Sequence, residues 1–190
     1  MYILGVWDGH DSGAALLEDN KVIFAANEER FTKRKLEIKF PYNSINAALK
    51  YAGLKPSDIE VIAFPTTELT KTLERIYPYA KEYHYLYRRR KIPKPPFEQF
   101  NRWLRYFFLQ FGIWPLCGTV SKAIISRQLK HMGFEKFKLY AVEHHISHAA
   151  TAAFSSGFNR ALVVTLDGLG DGLSGSVSTF ENGSMRRKVP

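Results

Sequence analysis

Within its first 28 residues the chain sets three short apolar runs between turn residues, an opening that few folds accommodate. Tyr2 to Trp7 reads as one strand, Ala14 to Glu18 as a second and Lys21 to Glu28 as a third. Asp19-Asn20 joins the last two and has the chemistry of a tight hairpin turn. Phe40-Pro41 leads into a helix from Tyr42 to Ala52, on which Ile45, Ala48, Leu49 and Ala52 recur at helical spacing. Pro41 suits a first turn and Gly53 a C-terminal cap. Ser57 to Ile59 is a short turn, and Glu60 to Phe64 a fourth strand. A meander, a helix and a further strand predict an α/β domain with a mixed sheet and flanking helices.

From about 66 to 135 the pattern changes to segments rich in Tyr, Phe, Trp and Arg, broken by Pro93, Pro95 and Pro96. The spacing predicts helices from about Glu68 to Tyr87, Phe97 to Phe111 and Val120 to Met132, the last stopped by Gly133. This stretch reads as a helical insertion into the α/β domain. Its apolar and basic surface suggests an oligomer or inter-domain contact. The last third returns to α/β. Lys138 to Val142 is a strand, Ile146 to Phe154 a helix, Ala161 to Leu166 and Ser174 to Phe180 two more strands. After the turn Glu181 to Ser184 a hairpin partner strand begins, with no helix to cover it, so the chain reads as the N-terminal part of a longer protein.

A length of 190 residues suits one domain, or one and a half. No apolar run approaches the roughly 20 residues that span a bilayer, and Met1 to Asp8 lacks the basic start of a signal peptide. The single Cys117 excludes an internal disulfide, so a cytoplasmic setting is expected, with Cys117 a small buried or loop residue. The net charge of +9 concentrates between about Lys71 and Arg105, around Arg88-Arg89-Arg90-Lys91. That run is either a solvated basic face or a patch for anions, nucleic acid included. Aromatics interleaved with Arg occur in single-strand nucleic-acid sites, but here they fall at helical spacing, which favours packing.

Chemistry concentrates near the C-terminal end. His144 and His148 are four residues apart, so a helix stacks both imidazoles on one face, where they can share a metal ion. Asp167 closes an apolar strand and offers a third ligand. The Asp167-Gly168-Leu169-Gly170-Asp171-Gly172 segment reads as a Gly-rich turn whose Gly168 and Gly170 amides can face a phosphate. Near the N-terminus, Gly9-His10-Asp11-Ser12-Gly13 is a second candidate phosphate loop, with His10 and Ser12 as side-chain donors. Glu28 to Lys35 ends in a basic run that can grip oxyanions or stay solvated.

Gly9-His10-Asp11-Ser12, Glu28-Glu29-Arg30-Phe31-Thr32 with Lys35 and Phe40-Pro41, His144-His145 with His148-Ala149, and Asp167-Gly168 with Gly170-Asp171-Gly172 occur here in order. Together they resemble the N-terminal part of the nodulation-protein-U and tobramycin-type O-carbamoyltransferases. The resemblance implies a ribonuclease-H-like, actin-like lobe over 1–190, with a second lobe and an adenylate-forming domain beyond it. It implies enzymes that make carbamoyl-adenylate from carbamoyl phosphate and ATP and pass the carbamoyl group to a hydroxyl of a sugar or natural product. By the same resemblance His144, His148 and Asp167 bind iron(II), a further carboxylate ligand lies beyond Pro190, and His10 and Lys35 handle the carbamoyl phosphate group or its transfer. Two positions depart from the family pattern: Gly13 stands where Ser or Ala is commoner, and Glu37 lies in a stretch that usually carries His-Asp. The other readings are a kinase or threonylcarbamoyl-type transferase of the same superfamily, or a basic binding module.

Overall fold

The computed structural model describes residues 1–79, 103, 107 and 114–189. Five strands form one mixed sheet in the order β3-β2-β1-β4-β5. β1 (Tyr2–Trp7), β2 (Gly13–Glu18) and β3 (Lys21–Asn27) are the expected antiparallel meander. The β2–β3 turn places Asp19 at φ 44° and Asn20 at φ 71°, the left-handed pair that a two-residue hairpin requires. β4 (Val61–Pro65) pairs in parallel with β1, and β5 (Lys138–Val142) in parallel with β4. An antiparallel meander extended on the side of its first strand by two parallel strands is the ribonuclease-H-like arrangement.

After the short helix α1 (Glu29–Thr32), α2 (Tyr42–Ala52) packs on β2 and β3 and ends at Gly53, φ 66°, with the boundaries that periodicity predicts. A short 3-10 turn, Pro56–Asp58, leads into β4. Alternate residues of the strands point inward: Leu4, Val6, Leu16, Ile62 and Phe64 meet Ile45, Ala48 and Leu49 of α2 in the main core. The opposite face carries a row of small residues in register, Ala25, Ala15, Gly5 and Ala63.

The middle segment, expected as a helical insertion over about 66–135, lies between β4 and β5. α3 (Leu69–Ile76) breaks at Tyr77, which precedes Pro78 and leaves the helical region at φ −125°; Pro78 and Tyr79 are helical again, and the rest of the expected span to Tyr87 lies outside the described residues. α4 (Trp114–His131) is already helical at Trp114, six residues before the expected Val120. Ile125 and Leu129 of α4 are buried in the main core. α4 is therefore the crossover that parallel β4 and β5 require, and what precedes it elaborates that connection. The Arg88–Lys91 run, the proline link and the expected helix at 97–111, apart from Trp103 and Phe107, lie outside the described residues.

After β5 come α5 (His144–Ser155), β6 (Arg160–Gly170), β7 (Leu173–Glu181) and β8 (Ser184–Val189). The last three strands form their own antiparallel sheet, order β6-β7-β8, and do not extend the first. α5 packs on β6 and β7, burying Ala149 and Ala153 against Val163 and Phe180. The single lobe expected from sequence thus holds two sheets, each opening with a three-stranded meander. The outer face of β6 leaves Leu162, Val164 and Leu166 exposed. Among the described residues no helix is long and apolar enough to cross a membrane.

Candidate functional site

The start of α5 is fixed from outside the helix. The Glu143 side chain accepts the His145 amide at 2.8 Å, and the Asp171 carboxylate accepts the His144 amide at 2.7 Å. These acceptors satisfy first-turn amides that have no partner within the helix. One turn separates His144 from His148, and their Nε2 atoms lie 3.0 Å apart. His145, rotated to the other side, is fully buried, with its ring between Thr165 Oγ1 at 2.8 Å and the Leu173 carbonyl at 3.0 Å. It anchors α5 to the second sheet.

Asp167 lies within β6, since the strand runs on to Gly170 with a register irregularity between Leu166 and Gly170. The Gly-rich turn expected over 167–172 shrinks to Asp171 and Gly172, at φ 51° and 81°. The irregularity turns the Asp167 carboxylate toward the histidines. Its Oδ2 is 2.7 Å from His144 Nε2 and 3.8 Å from His148 Nε2. One donor atom from each of the three residues lies within 4.8 Å of the others. Ligands about 2.1 Å from one ion stand roughly 3.0 to 3.4 Å from each other in octahedral or tetrahedral geometry. The three separations, 2.7, 3.0 and 3.8 Å, straddle that range, and two imidazoles with one carboxylate suit a divalent ion of the iron, zinc or manganese group.

The protonation states match. Burial raises the Asp167 carboxyl, but the His144 ring, the Gly168 amide and the two imidazole charges outweigh it and hold the group below its usual range. Burial, then the neighbouring His144, push His148 down against the pull of Asp167. An ionised carboxylate beside a neutral imidazole is the state that binds metal.

These donors line a cleft of about 590 Å³ between the carboxyl ends of β1 and β4 and the second sheet. His10 lines the same cleft and is exposed, with Nδ1 3.5 Å from Asp11 Oδ2. Trp7 stands between the two parts. Its Nε1–H donates to the His10 carbonyl at 2.7 Å, and its ring meets His10 and His144 edge-on at 6.3 and 6.4 Å. The structure thus gathers His10, His144, His148 and Asp167.

The other expected residues stand elsewhere or act differently. Ser12 is fully buried: its amide donates to the Glu37 carbonyl at 2.9 Å, and its hydroxyl has no hydrogen-bond partner among the described residues. Lys35 is exposed on the loop after α1 and does not line the cleft. The Gly168 amide donates to Asp167 Oδ1 at 2.6 Å. Gly170 lines the cleft, but His144 occupies the place where a side chain would begin. Gly13, a departure from the family pattern, is explained by close approach: a Cβ there would meet the Ala26 carbonyl at 2.6 Å.

Two features escape the sequence reading. Lys71 and Arg75, counted there as part of a basic surface, are buried against Asp8 at the end of β1. Arg75 pairs bidentately with Asp8 at 2.9 and 3.0 Å and donates to the Thr66 carbonyl at 2.8 Å. Lys71 Nζ donates to the Asp8 carbonyl at 3.1 Å and sits 4.8 Å above the Trp7 ring, lining the cleft. Their i,i+4 spacing on one helix was the available signal. Glu28, taken with an oxyanion-gripping run, is buried instead over the start of α2, accepting from the Ser44 amide and hydroxyl, each at 2.8 Å.

Comparison with known proteins gives the family. The chain is 32% identical over 169 residues to the uncharacterized protein sll1178 of Synechocystis sp., a match covering 85% of this chain and 24% of that protein. It is 31% identical over 172 residues to the nodulation protein NolNO of Sinorhizobium fredii, covering 87% and 20%. The chain therefore spans about a fifth to a quarter of the length of these relatives. Among solved structures, YeaZ from Pseudomonas aeruginosa aligns with TM-score 0.44 at 14% identity, over 100% of this chain and 67% of that one. The family profile described as "Carbamoyltransferase N-terminus" matches residues 2–189, and on that match the chain belongs to the carbamoyltransferase family.

Proposed function

We propose that the cleft is the carbamoyl-transfer site of an O-carbamoyltransferase. In this reading His144, His148 and Asp167 hold one divalent metal, iron(II) by family resemblance, and His10 is the proton acceptor. The observation that carries it is the convergence of the three donors, each within 4.8 Å of the others, in the cleft that His10 lines. A bound divalent ion supplies Lewis-acid polarisation of an oxygen on the carbamoyl donor. The acceptor hydroxyl forms a bond to the carbamoyl carbon while the bond from that carbon to the donor's phosphate oxygen breaks. His10 takes the hydroxyl proton, and Asp11 beside it offsets the resulting charge. The donor, carbamoyl-adenylate made from carbamoyl phosphate and ATP, belongs in this reading to the remainder of the longer relatives, and the acceptor is a small molecule bearing a hydroxyl. Ser12 and Lys35 carry no step, because neither lines the cleft. The alternative of a basic binding module loses two charges, since Lys71 and Arg75 are buried.

The test joins this chain to the remainder of a full-length relative and supplies carbamoyl phosphate, ATP and hydroxyl acceptors under anaerobic conditions. Carbamate formation is followed by mass spectrometry. The reading expects carbamoyl-phosphate-dependent ATP consumption, and a loss of transfer of about 100-fold or more for His10→Ala with metal content unchanged. ATP consumption that ignores carbamoyl phosphate would overturn it in favour of a kinase-type activity.

A further inference from the structure

We propose that Asp171 is the positioning residue of the metal cleft, holding His144 in place through Thr66 and the end of the five-stranded sheet. The inference rests on the reading of His144 as a metal ligand. His10, His144 and Asp167 arise on three separate elements: the β1–β2 turn, the start of α5, and β6. The last two meet at Asp171, and the first reaches it through Asp8, Arg75 and Thr66. Asp171 Oδ2 accepts the His144 amide at 2.7 Å, Oδ1 bonds the Thr66 hydroxyl, and the Asp171 amide donates to Glu68 Oε2 at 3.0 Å.

Thr66 is the other half of the device. It is buried and held at φ 59°, a conformation that a β-branched residue rarely adopts. Three contacts hold it there: its amide donates to the Val142 carbonyl at 2.8 Å, its carbonyl accepts from Arg75, and its hydroxyl meets Asp171. Backbone strain of this kind persists where the surroundings over-determine it, and it clusters at functional sites. Arg75 in turn grips Asp8, two residues before His10. A continuous chain of polar contacts therefore runs from the base of the His10 turn through Arg75, Thr66 and Asp171 to the His144 backbone. Partners that orient a metal ligand in this way are usually worth about 10–100-fold in metal affinity.

The test compares the wild-type chain with Asp171→Asn, Thr66→Val and Glu143→Gln. Glu143→Gln is the control, since it weakens a cap on the same helix at His145 and leaves His144 alone. Cobalt(II) affinity and visible absorption are measured alongside amide hydrogen exchange of His144 in the metal-free protein. The proposal expects Asp171→Asn to lose about 10–100-fold in cobalt affinity, change the absorption bands and lose His144 protection. It expects Thr66→Val to follow in the same direction, and Glu143→Gln to affect melting only. Unchanged His144 protection in Asp171→Asn would overturn it, as would an equal affinity loss in Glu143→Gln. If the chain joined to the remainder of a full-length relative, which restores the carboxylate expected beyond Pro190, takes up no cobalt, the metal reading fails by itself, and the His144 exchange still decides whether Asp171 positions that residue.

Discussion

Gly170 has no side chain because the His144 imidazole occupies the place where one would start. The glycine belongs to the strand that carries Asp167, so two proposed ligands approach each other only where the backbone is bare. Gly170→Ala should move His144 and lower cobalt affinity at least about tenfold. Overpacking should also cost roughly 1–3 kcal/mol of stability. Isothermal titration and a denaturant melt separate the effects; an alanine variant with unchanged affinity would show that the contact does not shape the site.

Arg75 and Asp8 form a buried bidentate pair at the junction of β1, β4 and α3. Removing Arg75 takes both guanidinium hydrogen bonds from a buried carboxylate, which keeps Lys71 Nζ at 3.6 Å. Arg75→Leu should therefore destabilise the chain by about 3–5 kcal/mol, measured by urea unfolding. Lys cannot reproduce the fork geometry, so Arg75→Lys should recover only part of the loss.

Glu28 accepts from the Asn43 amide at 3.0 Å and side chain at 2.7 Å, and from the Ser44 amide and hydroxyl. It serves as a cap for α2 delivered from the end of β3. Glu28→Ala should cost roughly 3 kcal/mol by leaving buried donors unpaired, with cobalt affinity unchanged. A loss of affinity without a loss of stability would instead place Glu28 in the chemistry.

His148 should titrate below an ordinary histidine, because burial and the adjacent His144 disfavour its charged form. Its folded value then lies below the unfolded value of about 6.5. In the window between them the unfolded chain binds more protons, so the contribution of His148 to stability is complete above that window and is lost as pH falls through it. The side chain is largely exposed, and the effect on stability is correspondingly small. Asp167, held below its usual range, stays ionised throughout the window. An NMR titration of the His148 ring with a midpoint at or above 6.5 would contradict this.

Local chemistry made much of the fold legible. The Asp19-Asn20 turn, the α2 stripe from Ile45 to Ala52 and the Gly53 cap each depend on neighbours within a few residues, and each stands where periodicity placed it. The His144/His148 pair was legible for the same reason, since one helical turn brings i and i+4 together. Segments whose state depends on distant partners were not. α4 was read as part of an insertion, because its burial against the main core depends on strands some sixty residues and more away. The 167–170 stretch looked like a loop from its glycines, yet pairing with β7 keeps it a strand.

By itself, then, the sequence determined the strand meander, the boundaries of α2 set by Pro41 and Gly53, the metal-type donor residues and the family. Only the tertiary structure decided that Lys71 and Arg75 are buried partners of Asp8, that Glu28 is a cap, and that Ser12 and Lys35 stand off the cleft. It also decided that Asp171 ties His144 to Thr66. The physical reason is range. Turn and helix preferences act over a few residues, whereas burial and ion pairing are settled by whichever groups the chain topology brings together.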